Sequence, residues 1–380
     1  MIRLMTTEPH YLWQADGWPD LHYDSRIAQP LTDARRALGR LEGRLSALGF
    51  EIRLQLAADA WTREAIATAA IEGERLDLAA VRSSVARRLG VDVSCGPQAP
   101  RNIEGLLDIM GDAVSHAAEP LTHERLHAWQ AALFPTGYSG MLPIRTGAYR
   151  SHAEPMQIVS GRPGREKVHY EAPPSARVPE DVDRLLRWLD DDRPEDRLVQ
   201  AALAHLWFET IHPFEDGNGR VGRVLVDLVL ARDSGETSRL IRMSERLLER
   251  RDDYYGQLER AQHGGVDVTE WVLWFLQQVQ AACDAASEAV AATLQKTLFW
   301  MEHHAKGLNE RQRKVMNLLL DAGPGGFEGG MSTRKYGSIA GTSRATASRE
   351  LLELQALGLL QQTGAGRSTR YRVDLPGWDA

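Results

Sequence analysis

Between Glu209 and Arg223 the chain reads ETIHPFEDGNGRVGR, with one histidine, three acids, three glycines and two arginines. A structural turn asks for a glycine or a proline, not for this density of charge. The residue before a proline avoids the α region, so the helix should end near His212 and project its imidazole toward solvent or substrate. Imidazole titrates near neutrality and can take a proton from a hydroxyl. Taken alone, such a histidine is more often a cap or core residue. Gly217 and Gly219 allow left-handed backbone and leave no side chain in the way. A helical pattern follows at once, and a glycine loop opening a helix makes a cradle of backbone N–H groups for phosphate oxygens. Arg220 and Arg223 stand three apart on one face of its first turns, where the helix dipole disfavours cations, so they want an external anion. Asp216 then makes sense as a ligand of Mg²⁺ lying between the carboxylate and a polyphosphate.

Two other site readings compete. DGNGRV brushes against a calcium-loop pattern, but Arg220 and Val221 stand where an acid and a glycine are needed. Glu-x-x-His occurs at Glu209–His212 and Glu124–His127, a spacing that could build a di-iron bundle. Its third occurrence, Glu166–His169 in a hairpin-like stretch, shows how cheaply the pattern arises.

The elements that must position these residues are mostly helical, and the fold class is mainly α. Helical periodicity predicts helices at 32–48, 52–73, 77–90, 102–118, 122–134, 179–189, 194–211, 218–232, 244–250, 252–262 and 268–290. The segment 157–170 instead reads as a β-hairpin with a Gly/Pro turn. After Gly307 a helix at 309–321, a helix-turn-helix at 333–357 and a glycine-turned hairpin make a winged-helix pattern. The expected domains are an N-terminal helical extension at 1–98, a core at 99–290, a linker helix at 291–307 and a winged helix at 308–380, the first boundary lying in the turn-rich Val91–Pro100.

The chain has 380 residues, 43% hydrophobic and 26% charged, with net charge −7. That fits a soluble globular protein of two or three domains and argues against wholesale nucleic-acid binding. From Leu308 onward the balance turns basic, ten Lys/Arg against seven Asp/Glu. Two cysteines, Cys95 and Cys283, support neither a disulfide framework nor a metal site, and a cytoplasmic location is expected. No signal peptide or membrane span is predicted.

His212 to Arg223, HPFEDGNGRVGR, resembles the Fic motif, His-Pro-Phe-x-Asp/Glu-Gly-Asn-Gly/Lys-Arg-x-x-Arg, at every specified position. The likeness extends to GAYRSHAEPMQIVSG, YEAPPSARVPEDVDRLLRWL and RDDYYGQL, covering roughly 102–290, and YLWQADGWPDLHYD is similar to the helical extension of many members. The resemblance implies a Fic-type helical core that moves AMP from ATP to a protein Ser, Thr or Tyr hydroxyl. It implies His212 as general base, Asp216 on Mg²⁺, and Gly217, Asn218, Gly219 and Arg220 as the phosphate cradle. Arg220 and Arg223 would hold the outer phosphates, with Phe214 packed beneath the loop. The hairpin, through Gln157, Ile158 and Val159, would be a flap that pairs with the target by strand addition. Tyr254 and Tyr255 match positions near the adenine, though two core tyrosines on one helix would look the same.

TAAIEGE, Thr68 to Glu74, resembles the inhibitory helix of some members, Ser/Thr-x-x-x-Glu-Gly/Asn, at Thr68, Glu72 and Gly73. With Gly73 as C-cap, Glu72 stands at a helix C-terminus, the wrong end for an anion, and wants a cation; Arg223 wants an anion. A Glu72–Arg223 pair would take the place of the ATP γ-phosphate and hold the enzyme inhibited. In some relatives the same glutamate supports removal of AMP. On the winged helix, Arg344 and Arg349 of the recognition helix and Arg367, Arg370 and Arg372 of the wing could meet DNA, although Glu350 and Glu353 share that helix. The alternative function is a nucleotide-sensing DNA-binding regulator; an intact His212 argues for the enzyme. Expected partners are a protein substrate including itself, DNA through the winged helix, and a second copy in a homodimer.

Overall fold

A computed structural model of the chain describes residues 11–91, 97, 99–160, 165, 167–191, 195–323 and 327–375. Cys95, much of the expected 91–100 boundary, Glu166, most of the tip of the 157–170 hairpin and the side chain of Arg367 lie outside the described residues. Two compact units emerge, residues 1–287 and 288–380.

The first unit holds α1 (Ala28–Ser46), α2 (Phe50–Ile71), α3 (Leu78–Leu89), α4 (Arg101–Ser115), α5 (His123–Leu133), α6 (Val178–Asp190), α7 (Arg197–Ile211), α8 (Asn218–Ser234), α9 (Met243–Glu249) and α10 (Arg251–Gln262). Two antiparallel hairpins interrupt them, β1 (Tyr138–Ser139) with β2 (Leu142–Pro143) and β3 (Gln157–Ser160) with β4 (Lys167–Glu171). The helix starts follow from side-chain caps: Asp77, Thr122 and Asp196 accept first-turn N–H groups of α3, α5 and α7. Each such cap contributes about 1 kcal/mol.

α7 is the centre of this unit. Every residue from Leu198 to Ile211 is buried, as expected of a helix apolar nearly all round. It packs against α6, α8 and α10, while α2 lies on α3, α8 and α9. Residues 212–217 join α7 to α8, so two packed helices fix both ends of the loop.

α11 (Thr269–Glu302) departs from expectation. A helix ending at Val290 and a separate linker helix were expected; one 34-residue helix runs through both. No glycine or proline stands between Thr269 and Glu302 to stop it, and the next breaker is Gly307. The second unit begins inside this helix and adds α12 (Glu310–Ala322), α13 (Thr333–Ala340), α14 (Arg344–Ala356) and the hairpin β5 (Leu360–Thr363) with β6 (Arg370–Val373). A Met331–Tyr371 bridge adds to the hairpin, and Phe299, Tyr336, Leu351 and Leu354 help fill its separate core. Among the described residues no helix is long and apolar enough to cross a membrane.

Candidate active site

His212 ends α7 in a left-handed conformation, φ 49° and ψ 62°, the lone non-glycine with positive φ among the described residues. Arg150 holds it there. Its buried guanidinium donates to His212 O at 2.8 Å, Ile211 O at 3.1 Å and Pro173 O at 2.6 Å. A cation thus satisfies the orphan carbonyls of the α7 C-terminus. Arg150 lacks a carboxylate partner in this set, and burial lowers it to about 10. Burial, then the Arg150 charge, lowers His212 to about 4, against the opposing pull of the Glu209 backbone, Glu72 and Asp216. The imidazole is therefore neutral at pH 7, and its side chain is 16% exposed, less open than the sequence implied.

The loop is braced from within. Asn218 Oδ1 accepts from Phe214 N at 2.9 Å and its Nδ2 donates to Phe214 O at 2.8 Å, while Phe214 is wholly buried. Both ends of the Asn218 amide serve the loop, so its visible role is bracing rather than reaching an anion. Gly217 turns with φ 87° and caps α8 without a side chain, leaving the first-turn N–H groups of α8 uncapped by any side chain. Asp216 Oδ1 accepts from Gly217 N at 2.5 Å and its carboxylate takes the Ser139 hydroxyl on β1. Gln130 adds a brace, donating to Asp216 O at 3.4 Å and accepting Gly147 N at 2.7 Å.

Carboxylates of the same chain occupy both arginines. α2 ends in a glycine-turned cap: Glu74 N donates to Ala69 O, Gly73 N to Ala70 O, and Gly73 has φ 80°. This double closure, a Schellman motif, accompanies a close approach of Glu72 and Glu74 to α8. Glu72 Oε1 meets Arg223 Nη2 at 2.7 Å, and Arg223 also donates to Thr68 Oγ1 at 2.7 Å and Thr68 O at 3.1 Å. A Cβ on Gly219 would collide with Glu72 Oε1, so the carboxylate lies directly on the first turn of α8. Burial works to raise Glu72, but Arg223, then Arg220 and His212, outweigh it and leave its pKa below the ordinary value. Arg220 pairs with Glu74 at 3.0 Å and with Asp216 at 3.9 Å, its guanidinium over the Phe134 ring.

Residues 120–230 match the Fic/DOC family, and residues 11–91 match a domain of unknown function, DUF4172. This chain carries a Fic/DOC domain. It is 33% identical over 101 residues to a probable protein adenylyltransferase of Aquifex aeolicus, 27% of this chain and 29% of that protein. It is 32% identical over 140 residues to protein adenylyltransferase Fic of Nematostella vectensis, 35% of this chain and 30% of that protein. The chain thus spans under a third of the curated relatives it matches. Its fold resembles a Fic family protein from Desulfovibrio desulfuricans G20, TM-score 0.55 and 24% identity, covering 93% of this chain and 98% of that one. It also resembles Fic-1 from Caenorhabditis elegans, TM-score 0.50 and 18% identity, over 72% and 74% of the two chains.

Around the Fic loop the remaining candidates divide. Tyr254 is buried and its hydroxyl hydrogen-bonds His205 Nε2 at 2.8 Å, a core placement. Tyr255 is part-exposed, its hydroxyl 3.5 Å from Ile71 O. In the hairpin, Gln157 pairs Glu171, Ile158 pairs Tyr170 and Val159 pairs Val168 across a bulge. Val159 faces solvent, while Ile158 packs on the Tyr11–Tyr170 cluster. Tyr170 OH donates to Thr210 O at 2.7 Å, tying the hairpin to α7. Glu74, Arg150, Ser139 and Gln130 were not singled out from sequence. Glu74 sits inside the quoted TAAIEGE, two residues after Glu72 across a glycine, and that spacing was the available signal.

Proposed function

We propose that the protein is an adenylyltransferase that moves AMP from ATP to a hydroxyl of a protein, and that Glu72 holds it inhibited. The observation that carries this reading is the carboxylate of Glu72 on the α8 first turn, paired with Arg223, beside a neutral His212. An anion-shaped place next to a base fits phosphoryl-centre chemistry, where positioning and charge neutralisation supply most of the rate.

With ATP in the cradle, the α8 N–H groups, Arg220 and Arg223 would hold the phosphates. His212 Nε2 takes the proton of a Ser, Thr or Tyr hydroxyl as its oxygen attacks the α-phosphorus. The bond to the β-phosphate oxygen breaks, and pyrophosphate leaves. Asp216 is the fitting residue for Mg²⁺: one part-exposed carboxylate at the cradle mouth, braced by Ser139 and Gly217 N. Mg²⁺ is typically held by one or two carboxylates plus substrate phosphates, consistent with no larger cluster of ligands among the described residues. When bound, it would neutralise charge on the phosphates. Val159 and the outer edge of the β3–β4 hairpin would take the target segment by strand addition.

The test uses ATP labelled at the α- or the γ-phosphate. The Glu72→Gly protein should incorporate α-label and no γ-label into itself, and His212→Ala should abolish incorporation. Incorporation of γ-label would make the protein a phosphotransferase instead.

A second partner is favoured by one observation. Glu350 on α14 is 1% exposed and turned inward, bound by Arg311 at 2.5 Å, Tyr336 OH at 2.8 Å and Asn309 Nδ2 at 3.0 Å. It therefore takes no charge to the outer face, where Arg344 and Arg349 are exposed, although Glu353 stands 3.6 Å from Arg349. The second unit, read as a winged helix, would bind DNA through α14 and the Arg370 strand. Affinity in a gel shift should fall steeply with salt; salt-insensitive binding would rule out a phosphate-tracking interface.

A further inference from the structure

Glu209 has no part in the chemistry above, yet its carboxyl group lies beside the imidazole. It stands three residues before His212 on α7, so the two side chains share a helix face. Glu209 Oε2 is 3.8 Å from His212 Nδ1, roughly half an ångström beyond hydrogen-bond reach. Glu209 is 5% exposed, and its Oε1 has no hydrogen-bond partner. An unpaired carboxyl oxygen in that setting is costly and asks for a reason. Gly222 makes room for it, since a Cβ there would collide with Glu209 Oε1. Arg223 does not claim it, being committed to Glu72 and Thr68. His205 is engaged with Gly222 O at 3.1 Å and Tyr254 OH at 2.8 Å.

We propose that Glu209 is the positioning residue of the His212 imidazole, its carboxylate accepting the Nδ1–H as Nε2 takes the target's proton. This rests on the transferase reading. The hydroxyl proton moves to Nε2, the Nδ1 proton stays on the imidazolium and is shared with Glu209, and the charge that forms on the ring meets an opposite charge. The groups facing the carboxyl are His212, Arg223, Glu72, His205, Tyr254 and Tyr255, with the Arg150 charge acting on the ring. Burial raises Glu209 to about 8, Arg223 opposes that, and Glu72 adds to it. The Glu72 carboxylate therefore acts twice: it pins Arg223, and it adds to the burial that favours the protonated form of Glu209. Withdrawing it lets Glu209 ionise at lower pH and become an acceptor.

The experiment follows AMP incorporation against pH in Glu72→Gly protein, alone and with Glu209→Gln or Glu209→Asp. In parallel, the His212 imidazole is titrated by NMR, its signal assigned by loss in His212→Ala. Incorporation should rise with pH as Glu209 ionises. Glu209→Gln should remove that rise, erase the step that Glu209 ionisation imposes on the His212 ring signal, and cut the rate at least about tenfold, the lower end of what losing a carboxylate that orients a histidine costs. Affinity for a non-hydrolysable ATP analogue should not change. Glu209→Asp keeps the charge one methylene further back and should fall between; it carries the test alone if the Gln variant does not fold. Wild-type rate, pH profile and His212 titration in the variants overturn the proposal. If Glu72→Gly itself incorporates no AMP at any pH, the transferase reading fails, and the NMR titration still decides whether Glu209 acts on the ring.

Discussion

At the scale of residues, His212 joins two features that oppose each other. Its backbone is in a region non-glycine residues rarely occupy, and its ring is a base kept neutral by burial and the Arg150 charge. With the imidazole held near 4, it is already deprotonated at pH 7. In Glu72→Gly/Glu209→Gln protein, where the rise set by Glu209 is gone, the acid limb of the remaining AMP transfer should therefore lie well below the ordinary histidine value. A limb at about 6.5, the value of an unperturbed histidine, would mean the ring is solvated during turnover. Asp216 gives a second expectation. Its carboxylate is braced by Ser139, 77 residues away in sequence. Ser139→Ala should raise the Mg²⁺ concentration for half-maximal transfer a few-fold with little change in the melting temperature; an unchanged Mg²⁺ dependence removes Ser139 from the site. The Fic loop was legible in the sequence because its chemistry is local: histidine, glycines, acid and arginines stand within one turn and a helix start. Ser139, Arg150 and Gln130 were not, because each acts on the loop from an element 60 to 90 residues away and is chemically ordinary by itself.

At the scale of elements, paired charges pin the C-terminus of α2 to the N-terminus of α8, which under the proposed function makes it a latch. Gly73 ends α2 so that Glu72 and Glu74 both face arginines, and Arg251 fastens the same end through Ile71 O at 2.8 Å. The Glu72–Arg223 pairing could be inferred from two misplaced charges. The Glu74–Arg220 pair could not, since Glu74 lies past the cap, where periodicity says nothing about direction. Glu74 is 41% exposed in its side chain, and pairs of that kind are worth about 0–1 kcal/mol. Glu74→Gln should accordingly tighten ATP-analogue binding by no more than about fivefold, measured by calorimetry; weaker binding would show that Glu74 supports the cradle instead. The latch also has a pH signature. Glu72 is depressed in the folded chain, so its stabilisation is fully present above the ordinary glutamate value. It is lost as pH falls through the lowered folded value. The melting-temperature gap between wild type and Glu72→Gln should be constant from neutrality to about pH 5 and close below pH 4. A gap that persists to acid pH would assign the stabilisation to packing.

At the scale of the whole molecule, residues 11–91 and the Fic core pack as one unit, and the C-terminal region forms another. Most helices were legible because caps and periodicity are local signals. α11 was misjudged because a domain change was expected where the chain carries no helix breaker. The two-residue strands β1 and β2 were missed because nothing so short has a period. The second unit has its own polar anchor, Glu350, whose carboxyl is kept below the usual range first by the Arg311 hydrogen bond. Glu350→Ala should destabilise that unit by about 1–3 kcal/mol while leaving AMP transfer by the first unit unchanged; loss of transfer would show that the units depend on each other. Under the proposed function the Glu72 carboxylate takes a phosphate's place beside a competent base. Intact-mass measurement of wild type, Glu72→Gly and Glu72→Gly/His212→Ala after incubation with ATP and Mg²⁺ tests it most directly. The account predicts one or more added AMP groups on Glu72→Gly, few on wild type and none on the double variant. Equal labelling of wild type and Glu72→Gly, or labelling that survives loss of His212, would contradict it.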